Sequence, residues 1–460
     1  MKIKIDSKIY IKNPSVEMKN YIEKELCIAN PEIQKKHYMG FWTGNLPKYI
    51  KMYSKNADEY VVPIGEIDNV WKLHPVKEDY EINFGKHEKL DFPIGRMGLY
   101  GYQEKAVQEM IKVKRGILSS KCGTGKSIMV LELIRRIGYK ALIICEKKEI
   151  LQQFIGYLRD IYNMQEGEYG TIAEGKVELG SLVTVALRQT LAKIDLTEYK
   201  FEFGCICVDE GQNVGGSVTK CTQYAKILNN LAAEYRYAVS ATAYRVDGLT
   251  RCMYSLLNTI KYEIPEDAIA SKVIKAKIQP IYTNFEIPYY AQNTDGTIDY
   301  VKLPTVLAED KERNELILEL LRQNKDNYCL ILSDRLSGLK YLHEQLGAGL
   351  MIDGSMTSKK AKQEREEAIE KMRKKEEHYL FASFSLAREG LDIKPLNRLF
   401  LIAPTKNKIT LIQSVGRIER IDEGKERPIV YDFVDNDLYF QKAFKSRKTI
   451  YKKNGNTILT

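Results

Sequence analysis

The chain has 460 residues, 44% of them hydrophobic and 29% charged, with a formal net charge of +10. That composition excludes a disordered or fibrous protein, and the length exceeds what one hydrophobic core usually serves, so two or three domains are expected. No apolar stretch approaches the roughly 20 residues that cross a bilayer, and the opening MKIKIDSKIY alternates charged with apolar residues instead of forming a signal-peptide core, which points to the cytoplasm (a host's, for a chain of phage origin) and to no membrane partner.

The basic surplus favours a polyanion partner and fits a solvated surface equally well. Eight cysteines (27, 122, 145, 205, 207, 221, 252 and 329) are scattered, several inside apolar runs, and read as reduced core thiols without a zinc site.

Residues 1–90 carry clustered turn signals (Asn13-Pro14, Asn30-Pro31, Gly44-Asn45, Pro63, Gly65) and no phosphate-binding signature, so they are expected to form a small α/β accessory domain, with 85–98 as its linker. From residue 91 to 260 the pattern becomes strand, loop, helix, strand. "RGILSS" (115–120) reads as a strand, "KCGTGKS" as a loop, "IMVLELIRRIG" (128–138) as an amphipathic helix closed by Gly138, and "KALIICE" (140–146) as the next strand. "SLVTVAL" (181–187), "CICVD" (205–209) and "YAVSAT" (237–242) continue the series.

Residues 261–310, rich in Pro and Tyr, are expected to connect this domain to a second one over 311–460. Its strands read as "YCLILS" (328–333), "LMIDG" (350–354), "YLFAS" (379–383), "RLFLIAP" (398–404) and "PIVYDFV" (428–434), with 358–377 as an exposed helix. Strands alternating with helices imply parallel sheets with right-handed crossovers, so the fold class is α/β with two tandem parallel-sheet domains.

The loop "SKCGTGKS" (120–127) fits the phosphate-binding pattern, with Ser120 where Gly or Ala is usual. Gly123 and Gly125 let the backbone curl so that the N–H groups of Cys122, Thr124 and their neighbours face phosphate oxygens, while Lys126 reaches the β- and γ-phosphates and the Ser127 hydroxyl ligates magnesium. The bland alternative is a Gly-rich turn before an ordinary helix. The apolar run "CICV" ends in two acids, Asp209 and Glu210, at the carboxyl end of a buried strand, where open α/β sheets bind their ligands. In a phosphate-loop enzyme Asp209 is placed to hold magnesium, and Glu210 to orient or deprotonate the attacking water. A helix cap or solvated turn is the alternative.

In order, "GYQEKAV" (101–107), "GTGKS", "LIICEKKEILQQF" (142–154), "VTVALRQTL" (183–191), "VDEGQ" (208–212), "SAT" (240–242), "FSLAREGLDI" (384–393) and "QSVGRIER" (413–420) resemble the motif series of superfamily 2 helicases and translocases, over about residues 99–434. The resemblance implies two RecA-like domains with ATP between them. It implies that Gln103 contacts adenine, that Gln212, Ser240 and Thr242 couple nucleotide to nucleic acid, and that Gln413, Arg417 and Arg420 reach the nucleotide from the second domain, Arg420 as arginine finger. Gly390 and Asp392 resemble the segment that touches both ligands. Lys147, Thr190, Ser333, Arg335 and Ser383 are candidate phosphate contacts by position.

Beyond Ser120, four positions depart from the family pattern: Tyr100 where a basic residue is common, Glu146-Lys147 where Pro-Thr is frequent, and Gln212 where many members have His. The accessory domain and the run 307–321 look similar to phage branch-migration helicases of the UvsW kind and to XPB-like helicases, in which Trp42 and Lys48 would meet a duplex at a junction; Trp42 and Phe41 as domain core is the alternative. The expected function is therefore an ATP- and magnesium-dependent DNA motor acting on forked or branched DNA, a monomer sufficing for the cleft. The alternatives are an RNA helicase, a duplex-tracking motor subunit of a nuclease or restriction complex, and an ATP-gated binding protein.

Overall fold

The computed structural model of the protein describes residues 1–459 apart from 39, 41, 122, 217–221, 246, 266, 269–272, 294, 353–358, 389–390, 392 and 406. The chain divides into two compact units, Met1–Ala268 and Ile269–Thr460. Among the described residues no helix is long and apolar enough to cross a membrane.

The first unit starts with a hairpin whose sequence alternates Lys or Tyr with Ile. Strands Lys2–Ile5 and Lys8–Lys12 bury Ile3, Ile5, Ile9 and Ile11 on one face and expose or half-expose their other residues, as a period of two requires. They lie in a five-stranded sheet in the order Ser54–Asn56, Glu59–Pro63, Lys8–Lys12, Lys2–Ile5, Tyr80–Ile82. Helix Val16–Glu25, capped by the Ser15 hydroxyl on the Met18 N–H, packs Met18 and Ile22 into the same core.

This small core is not closed on itself. It shares Cys252 with the following sheet domain. The buried Glu66 carboxylate accepts from both Arg251 Nη atoms and from the Tyr21 hydroxyl, and Gly65 lies so close to the helix Thr250–Leu257 that a Cβ would sit 2.4 Å from the Tyr254 carbonyl oxygen and 2.5 Å from that of Ser255.

The larger sheet of this unit has eight strands in the order Lys176–Glu178, Tyr169–Ala173, Val183–Leu187, Ala141–Cys145, Cys205–Val208, Tyr235–Ser240, Arg115–Ser119, Ile260–Glu263. All neighbours are parallel except the first two. Its central strands are buried along their whole length, which is why they read as continuous apolar runs and not as alternating ones. The hairpin Tyr169–Glu178 and the edge strand Ile260–Glu263 had no such run to mark them. The stretch expected as a linker crosses this domain in irregular conformation, with the Leu90 N–H on the Gly138 carbonyl and the Arg96 N–H on that of Ile161.

The second unit is a seven-stranded, wholly parallel sheet in the order Leu350–Ile352, Tyr379–Ser383, Cys329–Ser333, Arg398–Leu401, Ile429–Val434, Lys277–Tyr282, Thr457–Ile458. Strand Lys277–Tyr282 falls inside 261–310, the stretch expected to be a connecting segment. Pro280 hid it. The short outer strand pairs only with Lys277 and Ile278, so Pro280 faces no partner there and its missing N–H costs no ladder bond. A buried network then ties the last long helix to the sheet: Asp432 accepts from Arg447 Nε (2.9 Å), Arg447 Nη2 (2.7 Å) and the Tyr451 hydroxyl (2.8 Å).

Because the obstacles at Gly65 are backbone atoms, Gly65→Ala should lower the unfolding free energy of the first unit by about 1–3 kcal/mol, read as an earlier urea midpoint at unchanged slope. An unchanged midpoint would show that this turn does not pack on helix Thr250–Leu257 in solution.

Candidate nucleotide site

Parallel pairing brings the loops that leave five strands of the first unit to one edge of the sheet. Ser119 is level with Ser240, Val208 with Ile144, and Leu187 with Cys145. Lys121–Gly125, Glu146-Lys147, Arg188–Thr190, Asp209–Asn213 and Ala241–Arg245 therefore leave the same side.

The phosphate loop is held by its own neighbours. Gly123 (φ 81°) and Gly125 (φ 75°) adopt the left-handed region, and Gly125 has no room for a Cβ against the Gln103 amide. Helix Lys126–Ile137 starts directly after Gly125, with Lys126 and Ser127 in its first turn. The Thr124 hydroxyl donates to the Lys121 carbonyl at 2.8 Å and lies against the Ser120 hydroxyl, a contact that Gly or Ala at 120 could not make. Gln103 spends both ends of its amide here, Oε1 accepting from the Tyr100 N–H (2.9 Å) and Nε2 donating to the Thr124 carbonyl (2.9 Å), with the Tyr102 hydroxyl on the same carbonyl at 3.1 Å. Gln103 thus braces the loop and still has a second amide N–H and a second oxygen lone pair for an adenine contact.

Asp209 and Glu210 are adjacent yet face different partners, because Glu210 itself sits in the left-handed region (φ 52°), costly for a side chain with a Cβ. Burial pushes the Asp209 carboxyl up to about 7, Glu210 adds to the rise, and the Lys126 ammonium opposes it. Glu210 Oε2 accepts from Gln212 Nε2, and Gln212 Oε1 faces the Ser240 hydroxyl. That hydroxyl also lies 2.6 Å from the Thr242 carbonyl and accepts from the Thr242 N–H at 3.1 Å. It has one proton for two acceptors, so it can serve Gln212 or Thr242 and not both. A polar chain thus runs from Glu210 through Gln212 and Ser240 to Thr242, whose own buried hydroxyl has no partner among the described residues.

Arg245 was not anticipated by the sequence reading. Its Nη1 donates to the carbonyls of Gln212 (3.1 Å) and Val214 (2.9 Å), fixing the turn after the acids. A lone arginine five residues past Ser240 has no spacing that would mark it. Glu146, noted only as a departure, accepts from Asn213 Nδ2 at 2.9 Å and pairs with Arg188 at 3.4 Å.

Among the phosphate-contact candidates, Lys147 precedes helix Lys148–Asp160 and Thr190 lies in the short helix Arg188–Leu191. In the second unit Ser333 and Ser383 end neighbouring strands in register, and Arg335 follows Ser333 by two residues. Gln413 and Arg417 are buried on one face of helix Lys408–Ile418, and Arg417 Nη1 donates to the Leu391 carbonyl at 3.4 Å. Arg420 lies past that helix, bridged to Val273, and its carbonyl accepts from Lys425 Nζ at 2.7 Å. Trp42 is 85% exposed and is not core; Lys48 is also exposed. Cys122, Gly390, Asp392 and Phe41 lie outside the described residues.

The lone buried charge at Asp209 makes a pH-dependent stability. A carboxyl whose folded pKa stands near 7 against an unfolded value near 3.8 leaves the fold unhindered below about pH 4 and weakens it as pH rises through 7. Asp209→Asn should therefore stabilise the ligand-free protein at pH 8 by about 4 kcal/mol, an advantage that disappears by about pH 4. Urea titrations of both proteins across this range check it, and a difference independent of pH would remove the assignment.

A model of the type III restriction enzyme res subunit matches residues 96–245, and a model of the helicase conserved C-terminal domain matches residues 312–422. The putative ATP-dependent RNA helicase L396 of Acanthamoeba polyphaga mimivirus is 27% identical over 428 residues, spanning 88% of this chain and 78% of its own length. The DNA 3'-5' translocase XPB2 of Sulfurisphaera tokodaii is 24% identical over 388 residues, spanning 75% and 84%. Among solved structures, S. cerevisiae Dbp5 bound to RNA and ADP BeF3 aligns with 79% of this chain and 90% of its own at 15% identity and a TM-score of 0.55, a likeness of fold. With one helicase model on each parallel-sheet domain, in the order and at the positions of the motifs, the chain belongs to the superfamily 2 helicases and is an ATP-hydrolysing enzyme built on two RecA-like domains.

Proposed function

We propose that this enzyme is a DNA motor of the UvsW kind that unwinds or branch-migrates forked and junction DNA, coupling ATP turnover to closure of its two RecA-like domains. The observation that carries the coupling is the polar chain Glu210–Gln212–Ser240–Thr242, which joins the acid expected beside the attacking water to the loop after the neighbouring strand. A change at the γ-phosphate can move a proton-limited hydroxyl from one acceptor to the other, and with it the Thr242 backbone.

The residues present suit magnesium. Asp209 is a buried carboxylate lacking a full counter-charge, the Ser127 hydroxyl makes no hydrogen bond among the described residues, and no cluster of three or more potential ligands is found among them. That set matches an ion held by one carboxylate, one hydroxyl and substrate phosphates. When bound, it would neutralise phosphate charge. Lys126 and the loop amides grip the phosphates, Glu210 orients and deprotonates the water, and Arg420, with Arg417, meets the departing γ-phosphoryl. The nucleic-acid strand runs over Lys147, Thr190, Ser333, Arg335 and Ser383, held by its backbone.

DNA is favoured by the motif likeness and by the exposed Trp42 and the exposed Lys48 in the accessory domain, suited to a duplex at a branch. Two other readings each have one support: the RNA helicase, in the name of the mimivirus relative, and the motor of a restriction complex, in the family matched by residues 96–245.

Steady-state ATP hydrolysis at fixed salt with single strands, blunt duplex, a fork, a four-way junction and structured RNA separates them. The fork and junction should stimulate most; preferential stimulation by RNA or by blunt duplex would overturn the proposal. Lys126→Ala should abolish turnover, and Glu210→Gln should reduce it by roughly 10²–10⁴-fold while leaving ATP and DNA binding intact. Arg420→Ala should cost roughly 10³-fold or more in turnover with nucleotide affinity nearly unchanged, and equal losses of both would remove its transition-state role.

A further inference from the structure

The second unit holds a cavity of about 270 Å³ at the carboxyl ends of strands Cys329–Ser333 and Arg398–Leu401. Its walls are largely apolar, among them Leu303, Leu307 and Phe440. Three buried polar side chains also line it, Arg313, Asn314 and Ser333. Arg313, 3% exposed, donates from Nε to Asp435 (2.7 Å) and from Nη2 to the Ile402 carbonyl (2.7 Å), and its Nη1 makes no hydrogen bond among the described residues. Asn314, 4% exposed, donates from Nδ2 to the Ala308 carbonyl (2.9 Å), and its Oδ1 makes none among them. A donor and an acceptor on two largely buried side chains, neither used within the protein among the described residues, therefore line one mostly apolar cavity. A ligand with a complementary polar edge could take both.

The rim carries two tyrosines, Tyr300 and Tyr439, and the charged residues Asp334 and Arg335. Tyr300 is 62% exposed, its ring centroid 5.5 Å from that of Tyr439, and Arg335 Nη2 donates to the Val301 carbonyl beside it at 3.2 Å. Ser333 and Arg335, the residues proposed to hold strand phosphates, line the same cavity.

We infer that this cavity receives one nucleobase of the bound strand, its face on the Tyr300 ring and its edge taking the Arg313 Nη1 donor and the Asn314 Oδ1 acceptor. Every base offers a π-face and a mixed edge of donors and acceptors, so the pocket would grip a strand without reading its sequence. A base withdrawn into a protein pocket leaves its stack, which suits an enzyme that separates strands. The inference rests on the proposed strand path over Ser333 and Arg335. A free nucleoside carries the same chemistry, and the test separates the two sources.

The full-length protein is titrated, at fixed salt, with a fluorescent single-stranded oligonucleotide containing 2-aminopurine, with the same strand carrying a run of abasic sites, and with free 2-aminopurine deoxyriboside. The exposed Tyr300 is changed to Ala and to Phe. Wild type should bind the intact strand about tenfold tighter than the abasic one, the factor one stacked base supplies. Tyr300→Ala should erase that difference and the 2-aminopurine emission change, with Tyr300→Phe retaining both. Equal binding of intact and abasic strands by wild type, or a preference that survives Tyr300→Ala, overturns the base pocket alone. Failure to bind either strand overturns the strand path as well. Loss of free nucleoside binding in Tyr300→Ala with strand binding unchanged assigns the pocket to a small ligand and overturns the strand-base inference.

Discussion

The register of the parallel strands in the first unit is the constraint on which the site depends. Ser119 level with Ser240, and Val208 with Ile144, means that five loops remote in sequence leave the sheet on one side. Parallel strands demand crossovers, crossovers bury both faces, and burial demands the apolar runs from which these strands are made. A one-residue slip of Cys205–Val208 would turn its side chains over and carry Asp209 away from Lys126.

On that scaffold the chemistry is set by scarcity of charge and of protons. Asp209 lies out of water beside a second acid, with the Lys126 ammonium as its opposing charge, so it titrates near neutrality and is poised to accept a cation. Ser240 has one proton and two acceptors in reach. Gln212 suits this arrangement because an amide donates to Glu210 and accepts from Ser240 at once, which a neutral imidazole would do only in one tautomer and across a longer ring.

The second unit repeats the plan with a different emphasis. Its strand ends again gather hydroxyls and a basic side chain at Ser333, Ser383 and Arg335, yet behind them lies a mostly apolar cavity onto which Arg313 and Asn314 present a donor and an acceptor that no described residue takes. Arg313 is held rigidly by Asp435 and the Ile402 carbonyl, so its free nitrogen is preorganised. The two ends of this enzyme's task, gripping a phosphate and handling a base, would then be met by neighbouring groups on one sheet edge.

The sequence by itself determined the α/β class, most central strands to within two or three residues at either end, the phosphate loop and the acid pair, because each is a local pattern: continuous apolar runs, glycines where the backbone must turn left-handed, acids at a strand end. It also determined membership of the superfamily, through the order of eight short motifs. Tertiary structure decided the rest. Strand Lys277–Tyr282 is legible only once its neighbours show that Pro280 owes no hydrogen bond. Arg245 and Arg313 matter through carbonyls and carboxylates brought beside them by chain segments as much as 122 residues away, and no spacing announces that. Trp42, as ready to be core as surface by composition, is exposed because the small domain fills its core with isoleucines and shares its remaining apolar face with the sheet domain beside it. The divergence of Asp209 from Glu210 likewise comes from a left-handed backbone at a residue with a Cβ, a conformation that local propensity disfavours and the surrounding packing imposes.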